Sequence, residues 1–118
     1  MPRFSVVVPA FNAEPFIREC LDSMRAQSFG DFEVVCVDDA STDATCSVIE
    51  SYAADDSRFR LVRNERNMAQ FASRHVGLAE TTGEYILFLD ADDALAPEAL
   101  EAIDEQLASR PVDILQFG

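Results

Sequence analysis

The sequence predicts one α/β domain: a mostly parallel sheet covered by helices on both faces, a three-layer α/β/α, Rossmann-like arrangement. Three observations predict it. Short apolar runs recur along the 118-residue chain, and amphipathic stretches at helical spacing lie between them. The runs at 4–8, 32–37 and 85–89 are nearly continuously apolar, as strands buried on both faces are. Two of these runs, 32–37 and 85–89, stop abruptly at acids, so two strand exits carry carboxylates.

The first strand is expected over 4–8, where Val6, Val7 and Val8 supply the β-branched core. Pro9 to Ala13 form a loop, and Pro15 suits the first turn of a helix over 14–27. In that helix Phe16, Ile17, Cys20, Leu21 and Met24 recur on one face. Phe29-Gly30-Asp31 turns the chain into a second strand over 32–37. Ser41 or Thr42 is expected to cap a helix reaching 54, with Val48, Ile49 and Tyr52 inward. A half-exposed third strand over 59–62 alternates with arginines. Residues 64–67 are a polar turn, followed by a helix over 69–80 that Thr81-Thr82-Gly83 ends. The fourth strand is 85–89. Pro97 opens a last helix to 109, with Leu100, Ile103 and Leu107 inward, and a fifth strand is expected over 112–117. The Phe16, Phe29, Phe32 and Phe88 rings are expected in the core. Right-handed crossovers then give the layered domain.

Composition excludes several functions. The chain is 48% hydrophobic, enough for a core, yet no apolar run approaches the roughly 18 residues of a membrane span. Nothing at the N-terminus reads as a signal peptide. With 22 acids against 9 bases the net charge is −13, which repels nucleic acid and anionic lipid. All nine bases are arginine, so no mechanism needing a lysine applies. Arg58, Arg60, Arg63, Arg66 and Arg74 crowd one segment, suited to a phosphate or to a solvated surface, the second reading fitting most of them. Cys20, Cys36 and Cys46 have no metal or disulfide spacing, which points to a reducing, cytoplasmic setting. The expected location is the cytoplasm or the inner face of the membrane. The lone His75 builds no zinc site.

The chemistry concentrates at the acidic exits. Leu87-Phe88-Leu89 runs into Asp90-Ala91-Asp92-Asp93, and Val35-Cys36-Val37 into Asp38-Asp39. A strand core does not tolerate unpaired carboxylates, so these acids face solvent, a cation or both. Carboxylates at Asp90 and Asp92 suit a divalent metal that also holds phosphate oxygens. Two such exits place one acidic crevice at the carboxyl edge of the sheet, where open α/β folds bind ligands. Acids and serines are also common at strand ends and helix caps, and either cluster alone fits that explanation.

Four ordered stretches carry a closer likeness. Ser5-Val6-Val7-Val8-Pro9-Ala10-Phe11-Asn12-Ala13-Glu14 resembles a strand and "P-x-[YF]-N-x-E" loop. Val37-Asp38-Asp39-Ala40-Ser41-Thr42-Asp43 resembles "VDDGSTD", and the stretch from Asn67 through Arg74 to Gly77 resembles "N-x-G…A-R-N-x-G". Gly83-Glu84-Tyr85-Ile86-Leu87-Phe88-Leu89-Asp90-Ala91-Asp92-Asp93 resembles "G-E-Y-I-x-F-L-D-x-D-D". In this order they resemble the nucleotide-binding part of family 2 glycosyltransferases of the GT-A fold.

That resemblance implies roles. Pro9, Ala10, Phe11, Asn12 and Glu14 would border a nucleotide-diphosphate sugar, with a UDP-sugar favoured. Asp39, with Asp38 beside it, would accept hydrogen bonds from the base, and Arg74 would lie near base and phosphate. Asp90, Ala91 and Asp92 match the family's DxD segment, with Asp92 and Asp90 implied as ligands of Mg²⁺ or Mn²⁺. The acceptor would be a glycan or a lipid-linked sugar, in polysaccharide or glycan synthesis, and the reaction would invert. Ala40, Ala69 and His75 depart from the family's usual Gly, Gly and Asn. The family's general base and acceptor-binding half are expected beyond the fifth strand, past Gly118, so the chain reads as a GT-A domain truncated there. The alternative is a nucleotide-sugar-binding module without catalysis. A phosphorelay receiver is more remote, because it needs an acidic pair after the first strand and a lysine.

Overall fold

The structure, a computed structural model, describes residues 2–109 and 114–116. Among the described residues nine elements alternate: β1 (Phe4–Ala10), α1 (Glu14–Arg25), β2 (Phe32–Asp38), α2 (Thr45–Asp55), β3 (Phe59–Arg63), α3 (Ala69–Ala79), β4 (Tyr85–Phe88), α4 (Ala99–Ser109) and β5 (Ile114–Gln116). The sheet has the order β3-β2-β1-β4-β5, and every adjacent pair is parallel. Val7 is level with Val35 on one side and with Phe88 on the other. From β1 the chain steps outward to β2 and β3, then crosses over to β4. The strand order therefore reverses beside β1, and a crevice opens at the carboxyl ends there.

Alternation along the strands sorts the two faces. Phe4, Val6, Val8, Phe32, Val34, Cys36, Leu87 and Leu89 join one core with residues of three helices: Ile17, Cys20, Leu21 and Met24 of α1, Val48, Ile49 and Tyr52 of α2, and Leu100, Ile103 and Leu107 of α4. Gln27 ties α1 to α4. Its amide donates to the Ala96 carbonyl at 2.7 Å, and its oxygen accepts from the Leu100 N–H at 3.1 Å. The opposite face carries α3. Gly77 lets it lie close, since a Cβ there would overlap Val7 and come within 3.0 Å of Val37. At the amino edge of the sheet the buried Glu33 accepts from the Ser5 hydroxyl at 2.5 Å and the Thr82 N–H at 2.6 Å. Burial alone would raise its pKa, but these bonds and Arg60 outweigh it, and the carboxyl sits below its ordinary value.

Several expectations need correction. Helix α2 begins at Thr45 rather than after Ser41 or Thr42, and no side chain caps its Ala44 N-cap. Ser41 and Thr42 are drawn away to Asn12, while Asp43 accepts from the Thr45 N–H at 2.9 Å. Phe16 is not core. It is 50% exposed, because the first turn of α1 overhangs the end of the sheet. Leu89 is buried but lies past the end of β4, and α4 starts at Ala99 rather than Pro97. Of the fifth strand expected over 112–117, positions 112, 113 and 117 lie outside the described residues.

Candidate functional site

A cleft of about 500 Å³ opens at the carboxyl ends of β1, β2 and β4. Pro9, Ala10, Phe11 and Asn12 form one wall, continued by Ala13 and, from α1, Phe16. Asp39 lies at the β2 exit, and Asp90, Ala91 and Asp92 follow β4. Asn67, Ala69, Gln70 and Ser73 close it from the α3 side.

The β1 wall is held by polar exchange with the next crossover. Asn12 has a left-handed backbone (φ 48°), its N–H donates to the Ser41 hydroxyl, and its side-chain oxygen accepts from the Thr42 N–H at 2.8 Å. The Ala13 N–H donates to the Thr45 hydroxyl at 2.8 Å, and the Glu14 carboxylate accepts from the Ala44 N–H at 3.0 Å. Asp43 accepts from the Glu14 N–H and from the Thr45 hydroxyl and N–H. Those bonds outweigh its burial and keep it below the usual carboxylate range. Glu14 thus points into the α1–α2 junction and does not line the cleft.

Asp38 ends β2 and Asp39 follows it, and the two side chains part company. Asp38 is 1% exposed, lies near Cys46 of α2, and does not line the cleft. Its Oδ1 has no hydrogen-bond partner among the described residues. Asp39 borders the cleft while only 3% exposed. Its N–H donates to the Ala10 carbonyl at 2.8 Å, and its Oδ1 accepts from Asn64 Nδ2 at 2.9 Å and the Met68 N–H at 2.7 Å. Burial pushes this carboxyl up, yet the donors around it prevail and hold it below its ordinary value, so it is an anion at neutral pH.

At the other end, Asp90, Asp92 and Asp93 each bring an oxygen within 4.8 Å of the others. Asp90 Oδ1 accepts from Gln70 Nε2 at 2.6 Å and from Arg74 at 3.1 Å. Arg74 rests over the Phe88 ring, lies outside the cleft lining and reaches it only through Asp90. Its Nε is buried without a partner among the described residues. Three converging carboxylates with one guanidinium leave negative charge uncompensated, and an all-oxygen donor set fits a hard divalent cation. Beneath them burial pushes the Cys20 thiol up to about 12, with Asp93, Asp92 and Asp90 adding to it. Cys20 is therefore a neutral thiol whose S–H faces the Asp90 carbonyl.

Most of the crowded arginines serve elsewhere: Arg58 pairs with Asp56, Arg60 with Glu33 and Arg63 with Glu50. The sequence reading missed Asn64, Gln70, Ser73 and Phe16. Ser73 and Arg74 stand three and four residues after Gln70, which was the available signal for a polar helix face. Ala40 and Ala69 adopt left-handed backbones (φ 61° and 69°), where a Cβ costs about 1–2 kcal/mol.

A family model described as glycosyl transferase family 2 matches residues 5–118. EpsJ of Bacillus subtilis, named an uncharacterized glycosyltransferase, is 33% identical over 118 residues, covering 100% of this chain and 34% of its own. The structure of residues 1–349 of S. aureus TarS with UDP-GlcNAc is 36% identical with a TM-score of 0.85, covering 91% of this chain and 31% of that one. The mannosyltransferase PcManGT of Pyrobaculum calidifontis, solved with GDP-Man and Mn²⁺, is 33% identical with a TM-score of 0.84, covering 94% and 34%. The chain thus spans about a third of the length of these proteins. Among the described residues no helix is long and apolar enough to cross a membrane.

Proposed function

The chain belongs to glycosyl transferase family 2 and has the fold of GT-A glycosyltransferase domains, and from that premise we propose that its cleft binds the nucleotide-diphosphate sugar of an inverting transfer. The base lies against Asp39, and the diphosphate reaches toward Asp90 and Asp92. An acceptor hydroxyl, on a glycan or lipid-linked sugar, then displaces the nucleoside diphosphate. The observation that carries this reading is the pairing of two unlike acidic ends in one cleft. Asp39 is a single, buried, hydrogen-bonded anion, whereas Asp90, Asp92 and Asp93 form an uncompensated cluster.

Each chain residue has a distinct task. Asp39 accepts an N–H from the base, a charge-assisted bond in a site mostly closed to water. The Pro9–Asn12 wall gives backbone and an aromatic edge to the nucleoside, with Phe11 48% exposed beside it. Gln70 and Arg74 hold one oxygen of Asp90 and so fix its orientation. Mg²⁺ or Mn²⁺, held by Asp92 and Asp90 with Asp93 alongside, would neutralise the leaving diphosphate.

Calorimetric titration in Mn²⁺ tests the division of labour. UDP and pyrophosphate should both bind the wild-type chain. Asp92→Asn should weaken both, and Asp39→Ala should weaken UDP alone. Equal losses of UDP and pyrophosphate in Asp39→Ala would contradict the assignment of Asp39 to the base.

A further inference from the structure

Phe16 is a large apolar side chain that the core does not use. Its neighbours on α1 that face the sheet, Ile17, Cys20, Leu21 and Met24, are fully buried, whereas Phe16 is half exposed and lines the cleft. Among the described residues no aromatic ring or arginine stacks on it. A single exposed apolar residue is ordinary on a surface. This one borders a cleft and stands on a backbone fixed from both sides. Pro15 presets the first turn of α1. The Phe16 N–H donates to the Ala13 carbonyl at 2.8 Å, and the Ala13 N–H and the Glu14 carboxylate are tied to Thr45 and Ala44. A ring on so rigid a base loses little freedom when a ligand covers it.

Its place along the cleft follows from the helix. Cys20 stands one turn further along α1 on the same face, and its S–H meets the Asp90 carbonyl at 3.8 Å. Helical side chains lean toward the N-terminus, so the ring one turn before Cys20 projects past the turn that carries Asp90 and Asp92, at the acidic end of the cleft. Asp39 is held by Asn64 and the Met68 N–H at the exit of β2, and β1 separates that exit from the exit of β4.

We infer that Phe16 is a specificity-determining residue that presents its ring to the C–H face of the transferred sugar. With the base at Asp39 and the diphosphate at the acidic end, the group that follows the diphosphate is the sugar. A pyranose carries hydroxyls around its rim and C–H bonds on its faces. Carboxylates and amides serve the rim. A face needs an apolar surface, and the negative face of an aromatic ring suits C–H bonds of slight positive charge. The inference rests on the reading that the cleft binds a nucleotide-diphosphate sugar.

The test is calorimetric, in Mn²⁺, with UDP, UDP-glucose and UDP-N-acetylglucosamine as ligands of the wild-type chain, Phe16→Ala, Phe16→Tyr, Phe16→Leu and Phe11→Ala, each checked by a thermal melt. Phe16→Ala should lower the UDP-sugar to UDP affinity ratio by about three- to tenfold for at least one of the two sugars, the scale of one aromatic contact, with UDP affinity unchanged. Phe16→Tyr keeps the ring face and should keep the ratio. Phe16→Leu keeps apolar bulk without the face and should lower the ratio, and it carries the comparison if Phe16→Ala loses its cooperative melt. Phe11→Ala, on the nucleoside wall, should weaken UDP and both UDP-sugars alike. If Phe16→Ala weakens UDP as much as the UDP-sugars, the ring serves the nucleoside or the fold and the inference is overturned. A ratio that leucine preserves overturns it too. UDP binding with ratios that no Phe16 variant moves removes the role of Phe16 alone, whereas a wild type that does not bind UDP removes the reading of the cleft and the inference with it.

Discussion

Asp39→Asn changes one atom and should reverse a preference. The side chain keeps its size, and its surroundings dictate its orientation. Asn64 Nδ2 and the Met68 N–H both donate toward Oδ1, so the new amide keeps its oxygen there and puts its NH₂ in the place of Oδ2. On the proposed base contact, an acceptor thereby becomes a donor. For UDP this removes a hydrogen bond to a charged group and sets an N–H against an N–H. A bond of that kind is worth about 1.5–3 kcal/mol, so UDP affinity should fall about 10- to 150-fold. Cytosine carries an acceptor nitrogen where uracil carries its N–H, so CDP should gain relative to UDP. Pyrophosphate should be unaffected, because its proposed site is the other end of the cleft. The assay is competition of UDP, CDP and pyrophosphate for the variant in Mn²⁺, beside a thermal melt. Unchanged UDP binding, or an equal fall for all three ligands, would refute the reasoning.

Three further outcomes are expected. Gly77→Ala should lower the denaturant midpoint, since a Cβ overlaps Val7; overpacking costs about 1–3 kcal/mol, and the better helix propensity of alanine offsets only about 1 of it. Ala40→Gly and Ala69→Gly should each leave stability equal or raise it by up to about 1 kcal/mol, because relief of a left-handed Cβ is set against the greater freedom of glycine when unfolded; a clear loss in either would show that its methyl group packs productively. Glu33 is held below its ordinary value near 4.5 in the folded chain, so its contribution is present above that pH and is lost as pH falls through the folded value. Glu33→Gln should therefore flatten the acid limb of a stability-against-pH curve, and an unaltered limb would assign the acid sensitivity elsewhere.

The order of elements was legible because the strands are nearly continuous apolar runs and the helices are amphipathic. The acidic exits were legible because charge ending an apolar run has few places to go. What failed depended on contacts between segments far apart in the chain. Ser41 and Thr42 look like caps for α2, but Asn12, some thirty residues earlier, takes both, and the helix starts later. Phe16 shares the helical period of Ile17 and Cys20, yet periodicity does not reveal that the first turn of α1 projects past the sheet. Asp38 and Asp39 were grouped because they are neighbours, whereas Asp38 ends β2 away from the cleft and Asp39, one residue past the strand, borders it. Asn64 looked like a turn residue, and its bond to Asp39 exists only because the β3 exit lies beside the β2 exit.

The central claim is a cleft in which carboxylates and a divalent cation together hold a nucleoside diphosphate. The most direct measurement is calorimetric titration of UDP into the purified chain in Mn²⁺, repeated in excess chelator. Binding should be seen with Mn²⁺ and should weaken by about tenfold or more in chelator, because a net charge of −13 otherwise repels the diphosphate and nothing neutralises it. Equal affinity in the two conditions, or no UDP binding in either, would contradict the account.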